Sequence, residues 1–134
     1  MRRFTFWIAL VLAIGCESEA PKPSCLSSTC RVVLQGQVQR ADGSLATGAV
    51  TWWSMYDDTL CVTERANGFT GAVDAAARYQ YLLYDAPGVR RCLAVYAAAS
   101  LAARATDSTG VTSVYTFRIY EPPDTVTLSP IRLP

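Results

Sequence analysis

The chain contains no histidine. A Ser-His-Asp or Cys-His site therefore cannot be built, and any general-base chemistry would fall to carboxylates. Asp57 and Asp58 form an adjacent carboxylate pair. Their functional reading is weak binding of a calcium ion. Neighbouring residues of a strand point to opposite faces, however, and after Met55-Tyr56 the pair reads better as a solvated turn. Trp52-Trp53 offers aromatic faces on which a ligand could stack. In an extended strand one indole must face the core and the other outward. We expect a loop to cover the outward ring, with a ligand platform as the alternative. The glycines form no phosphate-cradling motif. No catalytic residue and no cofactor are expected.

Of the five cysteines, Cys16 stands apart. It closes a segment that begins with Arg2 and Arg3 and continues from Phe4 to Ile14 as an apolar run broken only by Thr5. That is the layout of an export signal. A membrane-spanning helix would need roughly twenty apolar residues, more than this run supplies. A cysteine stands where cleavage would occur, and Leu12-Ala13-Ile14-Gly15-Cys16 resembles the lipobox of bacterial lipoproteins. The resemblance implies that residues 1–15 are a signal peptide and that Cys16 is lipid-modified and heads the mature chain. It also implies a diacylglyceryl group plus an N-acyl chain, enough for stable attachment to a membrane. Glu17, rather than aspartate, follows the cysteine, which in lipoprotein sorting implies the outer membrane of the cell envelope.

Four cysteines then remain: Cys25, Cys30, Cys61 and Cys92. An even number in an exported chain favours disulfides. Three pairings are possible; we favour Cys25 with Cys30 and Cys61 with Cys92. Zinc is disfavoured, because C-x-x-C spacings and histidines are both absent, so no metal is expected. The whole chain carries twelve basic and eleven acidic side chains, and removal of Arg2 and Arg3 leaves ten basic ones. So balanced a charge implies no nucleic-acid partner.

These groups must be positioned by a single domain. Residues 16–30 read as the lipidated cysteine and a Pro/Ser-rich tether that cannot bury enough apolar surface to fold. Residues 31–134 read as the domain. Val32, Leu34, Gly36 and Val38 alternate with Val33, Gln35, Gln37 and Gln39, giving a strand with one wet face. Gly36, lacking a side chain, should let a backbone or a large ring pack close. Asp42-Gly43 supplies turn chemistry. Further strands are expected at 48–56, 60–64, 79–84, 92–97 and 111–120, with Asn67-Gly68 and Pro87-Gly88 as punctuation. A last strand from Thr125 to Leu133 shifts its apolar phase, as a bulge at Ser129-Pro130 would require. Short helices are allowed only after Ala98 and over Ala72 to Arg78. Seven short strands point to an all-β sandwich.

Leu34-Gln35-Gly36-Gln37-Val38, then Asp42-Gly43 and Gly48-Ala49-Val50, resembles the opening of carboxypeptidase regulatory-like domains. Asn67-Gly68-Phe69 and the closing Val126-Thr127-Leu128 fit the same pattern. The resemblance implies a seven-stranded Greek-key β-sandwich, transthyretin-like or Ig-like, serving as an accessory or binding module. The expected function is thus a non-catalytic binding or structural role at the envelope, with an envelope protein or a glycan as partner and the membrane reached through the N-terminal lipid. A carbohydrate-binding module using an exposed tryptophan is the first alternative, and an enzyme with a carboxylate site the second.

Overall fold

A computed structural model describes residues 30–118 and 123–134. The signal segment, Cys16 and most of the tether lie outside the described residues, as do Ile119 and Tyr120 of the expected sixth strand. Strands β1 (Cys30–Gln39), β2 (Val50–Tyr56), β3 (Glu64–Ala72), β4 (Arg78–Asp85), β5 (Arg90–Ala98), β6 (Thr109–Thr116), β7 (Asp124–Thr127) and β8 (Ile131–Arg132) follow one another. A 3-10 turn at Ala102–Ala105 lies between β5 and β6. The protein is an all-β sandwich of two sheets. One has the order β4-β1-β7, with β8 also on β1; the other has the order β3-β2-β5-β6.

Period-two burial is the cause of this layering. In β4 the residues alternate without a fault, with Tyr79, Tyr81, Leu83 and Asp85 buried and Arg78, Gln80, Leu82 and Tyr84 exposed. In β1, Val32, Leu34 and Val38 turn inward. From the second sheet Met55, Leu93, Val95 and Tyr115 complete one apolar core with them. Each buried aliphatic or aromatic side chain there contributes about 1.5–3 kcal/mol by leaving water. β1 is antiparallel to β4 and parallel to β7 and β8, so the first described strand is clamped between distant parts of the chain.

Three expectations are corrected. The short strand at 60–64 is not formed: residues 57–63 are a loop, and β3 begins at Glu64. Asn67-Gly68 does not punctuate but lies within β3, opposite Ser54 and Trp53. A Cβ on Gly68 would collide with the Trp53 indole, so this glycine provides close approach rather than a turn. The closing segment is two strands rather than one with a bulge. β7 pairs with Val32–Gln35 and β8 with Val38–Gln39, which leaves Gly36 and Gln37 without a register partner on that side. Pro130, which has no N–H to give to a ladder, sits at the interruption. Among the described residues there are consequently eight strands.

Candidate functional site

Trp53 points into the sandwich and packs on the core. Trp52 points to the opposite face of the second sheet, where other side chains already lie against its ring and leave it half-buried. Tyr96, its register partner on β5, stacks on it at 5.9 Å between ring centroids with 21° between planes. The Arg104 guanidinium, delivered by the 3-10 turn, lies 4.7 Å from the Trp52 centroid and 4.7 Å from that of Phe69, the β3 partner. Tyr96 in turn shares a 2.6 Å hydrogen bond with the Tyr56 hydroxyl. Burial, and then this bond, push the Tyr96 phenol up to about 12.

Asp57 and Asp58 do not converge on one point. Asp58 folds the 57–63 loop: its carboxylate accepts the N–H groups of Leu60 (2.8 Å), Val62 (3.1 Å) and Thr63 (2.8 Å). The Thr63 and Val62 bonds hold its carboxyl below the usual carboxylate range. Asp57 instead meets Arg65 and Arg91, each at 3.2 Å. Among the described residues, no group of three or more cysteines or carboxylates is placed to hold a metal ion. The disulfide Cys61–Cys92 ties the loop to β5 across a separation of 31 residues. Cys30 is also disulfide-bonded; the Cys25 end of the expected pairing lies outside the described residues.

The residues that the structure gathers into a cleft are others. Where the β7–β8 interruption bares one side of Gly36 and Gln37, a cleft of about 860 Å3 opens. Gln35, Gln37, Gln80, Arg78 and Thr127 line it, and Tyr79 closes it from within. The amides are oriented: Gln35 Nε2 donates to Thr127 Oγ1 at 3.1 Å, and Gln37 Nε2 donates to the Ala76 carbonyl at 3.1 Å. Tyr79 is Gly36's partner on β4, and a Cβ on Gly36 would land on its hydroxyl and ring. That hydroxyl is buried and has no hydrogen-bond partner among the described residues. Its neighbour Tyr81 is satisfied, through a short hydrogen bond with Thr51. An unpaired buried hydroxyl costs about 1–3 kcal/mol, so it is a group in want of a partner. Burial, and then the neighbouring Tyr81, push the Tyr79 phenol well above its ordinary range, so it stays protonated and able to donate. The carboxylate at the rim, Asp74, caps a turn by accepting the N–H groups of Ala76 (2.9 Å) and Arg78 (2.8 Å).

Sequence reasoning missed Tyr79, Gln80 and Arg78 as site residues. The wet glutamine face of β1 and the close approach at Gly36 were legible, but which ring covers the glycine depends on the β1–β4 pairing. Compared with protein-family models, with curated proteins and with solved structures, the chain has no match.

Proposed function

We propose that this chain is a non-catalytic binding module of the bacterial cell envelope, held at the membrane by lipid on Cys16, with the Gly36–Tyr79 cleft as its ligand site. We read the domain as a module of the carboxypeptidase regulatory-like kind. Supporting this, Leu34 to Val38 lies on β1, Asp42-Gly43 lies in the β1–β2 connection, and Val126-Thr127 lies on β7. The observation that carries the site is the buried, unpartnered Tyr79 hydroxyl against Gly36 in a cleft edged by glutamine amides.

Amide groups both donate and accept, and they carry no charge. They suit a ligand with hydroxyls and amides rather than ionised groups, and an N-acetylated envelope glycan has that chemistry. The indole platform is the less favoured place for such a ligand, because Tyr96 and Arg104 already occupy Trp52. The binding reading is tested by titrating the protein with a neutral N-acetylated oligosaccharide such as chitotetraose while following backbone and side-chain amide resonances. Shifts centred on Gln35, Gln37 and Gln80, weakened about tenfold in Tyr79→Phe, are expected from the loss of one buried hydrogen bond. Silence across a panel of neutral glycans would remove the glycan ligand.

A further inference from the structure

The two ends of the sandwich differ in a way that bears on how it would sit on a membrane. The described chain enters at Cys30, whose register partner is Asp85 at the end of β4. The Asp85 carboxylate accepts a 2.8 Å hydrogen bond from Arg91 Nε, and Arg91 Nη1 reaches the Asp57 carbonyl at 3.2 Å. The 57–63 loop therefore stands at the same end as the point where the tether joins the domain. The cleft residues Gln37, Asp74, Arg78 and Pro130 lie toward the other end of β1.

At the tether end, Leu60 is 80% and Val62 74% exposed. Tyr84, the partner of Arg31, and Val114, the partner of Cys92, are also exposed toward this end of their sheets. The loop holding Leu60 and Val62 is rigidly built. Asp58 accepts three of its N–H groups, the Asp57 N–H donates to Thr63 O at 2.8 Å, the Cys92 N–H donates to Asp58 O at 3.1 Å, and the disulfide fixes its crest to β5. Two aliphatic side chains are thus kept in water by a framework that lets neither fold back onto the core. Covering them recovers their transfer free energy with little further loss of chain entropy. The nearby charges offset one another, with Asp57 facing Arg65 and Arg91. Apolar contact, rather than net charge, is what this end offers.

We propose that the tether end docks on the lipid surface, with Leu60 and Val62 entering the interface and the cleft turned away from it. The proposal rests on the reading of Cys16 as the lipidated residue. The occupant follows from the chain itself. Thirteen residues, 17–29, separate Cys16 from Cys30. At most they span about 45 Å, and they deliver the domain to the bilayer from this end.

The test uses the mature lipidated protein in vesicles of phosphatidylethanolamine and phosphatidylglycerol at three to one, some carrying lipids brominated high in the acyl chain. Leu60→Trp supplies a reporter on the loop, and Leu45→Trp supplies one in the β1–β2 connection at the far end. Both replace exposed side chains, and circular dichroism checks the fold. The parent protein, whose own emission comes from Trp52 and Trp53, supplies the background to subtract. An interfacial side chain lies within about 5–10 Å of the headgroup boundary. The emission added by the Leu60→Trp reporter is therefore expected to fall about twofold in brominated vesicles, unchanged by salt. The emission added by the Leu45→Trp reporter is expected to stay level. Equal quenching at both positions, or none at either, on protein whose mass shows the acyl groups would overturn the docking while leaving the anchor intact. A mass without acyl groups would overturn the anchor and the docking with it.

Discussion

The ring of Tyr79 lies across the bare Cα of Gly36, its register partner on β1. Gly36→Ala would push a methyl into that ring. Overpacking of this kind costs about 1–3 kcal/mol. Tyr79→Phe keeps the ring and removes only the unpartnered hydroxyl, so stability is expected to hold or rise by about 1 kcal/mol. Urea unfolding of the two variants checks both. A marked loss in Tyr79→Phe would mean that the hydroxyl already has a strong partner within the protein.

Reducing Cys61–Cys92 frees a loop closed over a separation of 31 residues. In the chain-entropy picture a bridge of this span is worth about 3–4 kcal/mol. Cys61→Ser with Cys92→Ser should lower stability by that order and speed amide exchange at Leu60, Val62 and Thr63, whose N–H groups Asp58 holds. Unchanged exchange at those three amides would show that the Asp58 bonds alone define the loop.

Arg104→Ala should uncover Trp52. A cation over an exposed ring contributes about 0.5–1 kcal/mol, so the stability loss is small. The clearer readout is acrylamide quenching, which should increase for one tryptophan while Trp53, packed on the core, stays protected. Quenching equal to that of the parent protein would mean that Tyr96 and Phe69 shield Trp52 without the arginine.

Alkaline stability follows from the tyrosines. Tyr115 donates to Asp124 at 3.1 Å. Burial, and then the Asp124 charge, push its phenol up to about 12. An unfolded tyrosine titrates near 10, so the folded state holds the proton more tightly. The sign is that of a raised group: stability is level below about pH 10 and falls as pH rises toward about 12. Thermal melts between those limits should show the decline, and Tyr115→Phe should soften it. A melting temperature constant through that window would contradict the assignment.

How far the sequence went can be traced through particular residues. Alternation fixed the inward face of β1, because a two-residue period leaves one choice of face once a core exists. It also required one indole to face inward and the other outward, without saying which; the pairing of β2 with its neighbours puts Trp53 on the core and Trp52 on the outer face. Cys61 with Cys92 was one of three possible pairings and is the one formed. Asn67-Gly68 misled, since the same dipeptide that favours a turn also yields room for a ring, and only the neighbouring strand decides which. The break at Ser129-Pro130 showed as a shift of apolar phase, but its size did not, because a bulge and a full interruption change the phase alike. The cleft was least legible. It is made by long-range pairing, which brings Tyr79 onto Gly36 and leaves Gln37 beside a gap.

The most direct measurement is of the anchor on which the envelope reading depends. The protein, expressed in a Gram-negative bacterium with a radiolabelled fatty acid, should incorporate label, fractionate with membranes and give a mature N-terminus at Cys16 bearing acyl groups. Cys16→Ser should abolish the label. A parent protein that takes up no fatty acid, or whose mature chain begins elsewhere than at Cys16, would contradict the reading.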